Sequence, residues 1–189
     1  SLEGGDGSGK STQLALLTDY LNENGYDCVF TREPGGTKIS EKIREIILDG
    51  GNKEETPETE ALLYAAARAQ LVSELIIPAA ESGKIVVCDR YIDSSVAYQG
   101  YGRGLGKEFI DDINSFAIKN RMPDVTLFFD ITPERAFERK GGADKNDRME
   151  QSGLSFHKKV YEGYLRQATE YPERIVRINA EQTVEKVFA

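Results

Sequence analysis

The stretch Gly4-Gly5-Asp6-Gly7-Ser8-Gly9-Lys10-Ser11-Thr12 decides how this chain reads. It fits Gly-x-x-x-x-Gly-Lys-Ser/Thr, the pattern of a phosphate-binding loop. The glycines let the backbone curl until successive N–H groups point inward and form a nest for anionic oxygens. Lys10 supplies a mobile ammonium for the β- and γ-phosphates of a nucleotide, and the Ser11 hydroxyl is placed to ligate Mg²⁺. Every residue of the stretch is therefore a candidate contact to a nucleoside triphosphate. The residues from Gln13 to Leu21 follow at helical spacing, so the positive end of a helix aims at the same phosphates. Ser1-Leu2-Glu3 precedes the loop like the end of a strand. A buried parallel strand usually needs about five residues, so missing residues are expected at this end. They are expected too beyond Val187-Phe188-Ala189, which reads as the inside of a helix.

Working outward, apolar strand-like runs alternate with helical patterns, which predicts one α/β domain with a parallel sheet flanked by helices. The first helix is expected from about Lys10 to Asn24, and Asp27–Thr31 reads as a strand. Arg32-Glu33-Pro34-Gly35-Gly36-Thr37 breaks the pattern as a loop at that strand's C-terminal end, the edge where open α/β sheets bind ligands. Ile39, Ile43, Ile46 and Ile47 mark an amphipathic helix. Thr56-Pro57 opens a long one, with Thr56 as N-cap and Pro57 at the first position, running to about Ser82. Lys84–Cys88 is a continuous apolar run, the mark of a strand buried on both faces. Gly100–Gly106 reads as a flexible loop, Lys107–Lys119 as a helix and Val125–Asp130 as a strand. Thr132-Pro133 caps a short helix that runs into residues 138–153, a charged segment with little to bury. A helix over Leu154–Thr169, a strand at Ile175–Ile178 and a helix from Glu181 complete the chain.

Composition narrows the function. The chain has 189 residues and a net charge of −8, which argues against a general nucleic-acid surface. An acidic protein that handles phosphates must gather its cations locally. Cys28 and Cys88 sit in strand-like runs and read as reduced, buried thiols. His157 is the only histidine and reads as a surface or packing residue, so no His-based metal site or triad can be built. No apolar run looks long enough to span a membrane and no signal peptide is visible, which makes the cytoplasm the default.

The clustered cations fit this expectation. Asp89, delivered by an apolar strand, is the expected carboxylate opposite Ser11 for Mg²⁺. Arg90 beside it offers a planar fork for two phosphate oxygens. Arg32, Arg44, Arg68 and Arg90 all lie at, or can point to, the C-terminal edge of the sheet. Arg139, Lys140, Lys145 and Arg148 fall in the charged segment, which also holds Gly141 and Gly142 and reads as a lid closing over a nucleotide. Lys140 and Lys145 fit a solvated surface equally well. Tyr64 and Arg68 share one helix face and can stack on and donate to a base; taken alone, they fit a core tyrosine and a surface arginine better.

In order along the chain, the phosphate loop, Thr31-Arg32-Glu33-Pro34-Gly35-Gly36, Tyr64-Ala65-Ala66-Ala67-Arg68, Asp89-Arg90-Tyr91-Ile92-Asp93-Ser94-Ser95, Ala97-Tyr98-Gln99-Gly100 and Asp147-Arg148 resemble the bacterial thymidylate kinases. The resemblance covers essentially the whole chain. It implies the nucleoside-monophosphate-kinase type of P-loop fold, a five-stranded parallel sheet with helices on both faces and a short lid, commonly as a homodimer. It implies transfer of the γ-phosphoryl of ATP to dTMP with Mg²⁺. By the same resemblance Arg90 would hold the dTMP phosphate with Arg44 helping, and Tyr64 would stack on thymine. Arg68 would donate to the thymine 4-carbonyl, and Ser95 and Gln99 would face the N3 edge. Tyr98 would crowd the 2′ position, Asp6 would approach the 3′-hydroxyl, and Glu33 would lie near sugar, phosphate and metal. The catalytic arginine would come from the lid, Arg148 first and Arg139 second. Asn179-Ala180-Glu181-Gln182 would border the adenine. Another nucleoside monophosphate as acceptor stays open as a substrate. A non-catalytic GTPase-like switch is the remaining alternative, but the guanine-reading Asn-Lys-x-Asp has only the poor counterpart Asn52-Lys53-Glu54-Glu55.

Overall fold

Five parallel strands run through the middle of the molecule in the order β2-β3-β1-β4-β5. The computed structural model describes residues 1–141 and 148–189. Gly142, Lys145 and Asp147, assigned above to the lid or to the family pattern, lie outside the described residues. The strands are β1 (Leu2–Glu3), β2 (Cys28–Arg32), β3 (Ile85–Asp89), β4 (Thr126–Asp130) and β5 (Ile175–Asn179). β1 is two residues long, yet it occupies the centre. Leu2 is in register with Asp89 of β3 on one side and Leu127 of β4 on the other. The order of connection therefore reverses at β1, and the crevice at the carboxyl ends of β1 and β3 is a topological switch point.

Helices cover both faces. α1 (Lys10–Glu23) and α9 (Val184–Phe188) pack on one, where Leu14, Leu17, Leu21 and Val187 meet Leu2, Val87 and Phe129. On the other, α8 (Gly153–Glu170) joins Phe128 and Ile175 through Phe156, Val160 and Tyr164. α2 (Lys38–Leu48) and α3 (Pro57–Leu71) start as their sequences demand. Thr37 and Thr56 each accept a hydrogen bond from the backbone N–H three residues on, and Pro57 stands where a free N–H would have no partner. α3 continues through a π turn (Val72–Ile76) into α4 (Ile77–Glu81).

Two expectations change. Gly100–Gly106 is not a loop throughout. α5 (Ile92–Ser95) leads into a π-helical run, Val96–Gly102, whose residues are buried except the half-buried Tyr101. A Cβ on Gly102 would lie 2.7 Å from the Phe156 ring and 2.9 Å from Val160, and one on Gly163 would lie 2.8 Å from Tyr101 and 3.1 Å from the Cα of Ala97. These glycines are packing devices that let α8 cross this run closely, and only Arg103–Gly106 connects to α6 (Lys107–Ile118). The second change concerns membranes. The continuous helical run Pro57–Glu81, 25 residues, is long and apolar enough to cross a bilayer by length and composition alone. Here α3 packs against α2 and α6. Its Glu60 and Arg68 are buried in ion pairs with partners elsewhere in the protein.

The end of α7 (Pro133–Lys140) and a short 3₁₀ turn (Glu150–Ser152) fall within residues 138–153, the segment expected to form a lid. His157 is buried, edge-on to Phe137 and Phe156, and burial lowers its pKa, so it is a packing residue. Cys28 is half-buried, Cys88 is buried, and both are free thiols.

Candidate active site

The phosphate loop leaves β1 at the switch point and turns back on itself. Gly4, Gly7 and Gly9 have φ of 137°, 83° and 94°, values that L side chains rarely adopt. A Cβ on Gly7 would sit 2.3 Å from the carbonyl oxygen of Ala136 in α7, so the loop and α7 touch backbone to backbone. Lys10 folds back over the loop, and its Nζ donates to the carbonyls of Gly4 (2.9 Å) and Gly5 (3.0 Å). Burial, and then the neighbouring Arg90 charge, push its pKa down to about 8.

Asp89 ends β3, and Arg90 follows with a positive φ of 67°. That turn swings the guanidinium back to the loop. Its Nη1 donates to Gly4 O at 2.8 Å and its Nη2 to Asp6 Oδ1 at 2.5 Å, and it lies over the Tyr98 ring at 5.3 Å. Burial opposes a charge on Asp6, but Arg90 and then Lys10 outweigh it and hold the carboxyl at about 2. The turn is pinned from β1. Glu3, fully buried, accepts from Tyr91 N (2.7 Å), Ser94 Oγ (2.5 Å) and Tyr164 Oη (2.9 Å). Burial, and then Asp93, raise its pKa to about 7.

Two cavities meet here. A cavity of about 420 Å³ is lined by the loop from Asp6 to Thr12 (Ser8 excepted), Asp89, Arg32, Arg139 and Lys140. A second, of about 100 Å³, is lined by Pro34, Leu48, Tyr64, Ser94, Tyr98, Gln99 and Met149. Asp6, Glu33, Arg44 and Arg90 line both. Arg44 is held there by a 2.8 Å bond from Nη1 to Pro34 O. Asp89 Oδ1 and Tyr98 Oη are buried with no hydrogen-bond partner among the described residues. Ser11 and Asp89 together offer hard oxygen donors in the larger cavity, a set that suits Mg²⁺ shared with phosphates rather than an all-protein cage.

Most of the expected site residues come together, and three do not. Arg68 is 1% exposed. It is spent on Glu33 (2.5 and 2.8 Å), Asn114 and the Tyr91 carbonyl, and Tyr64 alone of that pair reaches the cavity. Ser95 is buried and does not line the cavity, whereas its neighbour Ser94 does. Arg148 pairs with Glu55 (2.8 Å) and Glu60 (2.7 Å) and donates to Ile47 O, away from the phosphate cradle, whereas Arg139 lines the cradle while donating to Ala180 O at 2.6 Å. Sequence reasoning missed Ser94, Met149, Glu3 and Glu60. Ser94 was within reach, since it stands one helical turn before Tyr98. Met149 carried no signal.

Comparison with known proteins identifies a family. A family profile described as thymidylate kinase matches residues 2–189. The thymidylate kinase of Clostridium novyi is 50% identical over 190 residues, covering 100% of this chain and 93% of that one. The thymidylate kinase of Finegoldia magna is 52% identical over 189 residues, again 100% and 93%. Among solved structures, the thymidylate kinase of Ehrlichia chaffeensis is similar with a TM-score of 0.77 at 33% identity, over 97% of this chain and 87% of that one. With the profile spanning nearly every residue, the chain belongs to the thymidylate kinase family.

Proposed function

We propose that this protein transfers the γ-phosphoryl group of ATP to dTMP, giving dTDP and ADP. The observation that carries the reading is the pair of cavities joined at Arg90 and Arg44, one built on a phosphate loop and the other walled by an aromatic and an amide. A dTMP phosphate oxygen attacks the γ-phosphorus in line, and the bond to the bridging oxygen of ADP breaks. No covalent enzyme intermediate is needed, because positioning and charge compensation supply the catalysis.

In this reading Gly4–Thr12 cradle the ATP phosphates, with Lys10 on the β- and γ-oxygens. Arg90 and Arg44 hold the acceptor phosphate between the two cavities. Tyr64 stacks on thymine, Gln99 meets its N3 edge, Tyr98 closes the 2′ side, and Asp6 and Glu33 face the sugar. Arg139 is better placed than Arg148 to meet the moving group, which reverses the expected order. Arg68 acts through Glu33 in this arrangement, reaching the base only by leaving that carboxylate. Mg²⁺ fits the donor set of Ser11 and the unpartnered Asp89 Oδ1, and when bound it neutralises phosphate charge. We place the enzyme in the cytoplasm as a homodimer; the exposed Leu62 on α3, and Phe109 and Phe116 on one side of α6, support a self-contact there.

The test is an acceptor panel with ATP. dTMP should be the preferred substrate over dUMP, dCMP and dGMP. Arg90→Ala should cut turnover by about a hundredfold or more, the usual cost of one preorganised donor, with an unchanged melting temperature as the control. Failure to form dTDP, or a folded Arg90→Ala variant with near-normal turnover, overturns the assignment.

A further inference from the structure

We propose that Glu60 decides which base the acceptor cavity takes, by fixing which way round the Gln99 carboxamide points. This rests on the acceptor reading above. Glu60 lies on α3 and is 1% exposed. Three side chains converge on its carboxylate. Gln99 Nε2 donates to Oε1 at 2.8 Å. Arg103 donates through Nε and Nη2 at 2.9 to 3.1 Å, and Arg148 Nη1 stands 2.7 Å from Oε2. Arg103 is itself held over the Phe156 ring at 4.4 Å.

A carboxylate between two guanidinium groups can only accept hydrogen bonds. The end of Gln99 that meets it must therefore be the NH₂ end. The reverse orientation would press a carbonyl oxygen against a carboxylate oxygen in a buried place. With Nε2 committed, Oε1 is the group Gln99 can present to the cavity it lines. Two arginines saturate the remaining lone pairs of Glu60, so the carboxylate has no reason to turn elsewhere. The cavity wall is thus an acceptor and matches a base edge that donates. Thymine and uracil carry N3–H. Cytosine carries a bare N3 lone pair and is refused at that atom, whatever happens at its 4-position. Gln99 touches the base, and Glu60 is a positioning residue that acts through it. The same carboxylate holds Arg148, so the lid-side arginine and the base-reading amide share one anchor.

The experiment compares kcat/KM for dTMP and 5-methyl-dCMP in wild type, Glu60→Gln and Gln99→Ala. A glutamine at 60 can donate to Gln99 Oε1, which lets the Gln99 amide reverse and offer N–H to the cytosine N3. The dTMP preference should then fall by about tenfold or more, the worth of one hydrogen bond. The contrast at the 4-position is the same in every variant, so a change in the ratio isolates N3. If Gln99→Ala leaves the ratio unchanged, the amide does not read the base and the acceptor assignment falls. If Gln99→Ala collapses the ratio while Glu60→Gln only lowers both rates together, Glu60 is merely structural and the proposal is overturned. Should Glu60→Gln fold poorly, the wild type answers by NMR. The Gln99 side-chain NH₂ should be protected from solvent exchange both before and after dTMP is added. Protection that appears only with dTMP overturns the proposal.

Discussion

Raising the pH from 7 to 9 during a titration with ATP perturbs the buried Lys10 ammonium. It is 7% exposed, and its carbonyl partners on Gly4 and Gly5 do not fully replace water. Burial and then Arg90 hold its pKa at about 8, against an ordinary value of 10.5. Phosphate oxygens beside the ammonium favour its charged form and restore the ordinary value. Between those two values the complex binds more protons than the free protein, so affinity falls as pH rises through the window. At pH 7 the free Lys10 is about nine-tenths charged and at pH 9 about one-tenth, so ATP should bind about tenfold more weakly at pH 9. Binding should also take up about half a proton at pH 8. Calorimetry in two buffers of different ionisation enthalpy measures that uptake directly. At pH 8 Asp6, at about 2, and Glu3, at about 7, are largely ionised and contribute little. Lys10→Arg does not titrate in this range and should show no uptake. Uptake below about a tenth of a proton at pH 8, or the same uptake in Lys10→Arg, would refute the reasoning.

Glu3→Gln probes the buried carboxyl under the acceptor turn. The native pKa of Glu3 lies near 7 and the ordinary value is 4.5, so the native state holds the extra proton between them. Its contribution to stability is present below pH 4.5 and is lost as pH rises to 7, by roughly 3 kcal/mol. Urea unfolding at pH 4.5 and 7.5 should show the gap between wild type and Glu3→Gln shifting by that order toward the variant, and a gap independent of pH counts against it. Gly7→Ala and Gly9→Ala form a second pair. Both place a side chain at positive φ, a cost of about 1–3 kcal/mol each. Only the Gly7 Cβ meets backbone, that of Ala136, whereas the Gly9 Cβ has nothing within 4 Å. Gly7→Ala should therefore lose more ATP affinity and more melting temperature than Gly9→Ala, and the opposite order would mean that the contact between the loop and α7 is soft.

The elements most legible in the sequence were those whose cause is local. The phosphate loop, the alternation of strands and helices and the Thr56-Pro57 start of α3 follow from short-range chemistry, and the structure has them within a residue or two. What was hidden depends on partners far along the chain. Nothing in the Ala- and Leu-rich run around Glu60 marks it out. It is buried because Arg103 and Arg148 come to it from 43 and 88 residues away. Arg68 and Arg148 had their expected roles from the family resemblance, and which carboxylate claims each is settled only by packing. Gly102 looked like loop composition, and only the approach of Phe156 and Val160 shows why it has no side chain.

The two cavities differ in how their walls are assembled. The donor side is built on one short loop, which rises from a central strand bonded on both flanks and is joined by residues from β2, α2, β3 and α7. The acceptor side is gathered from separate segments around positions 33, 44, 64, 90–99 and 149. Inheritance acts on these unequally. An insertion in the first would abolish the chemistry outright, while the second can be altered one segment at a time, so substrate choice in such a scaffold can drift while its energy source stays fixed.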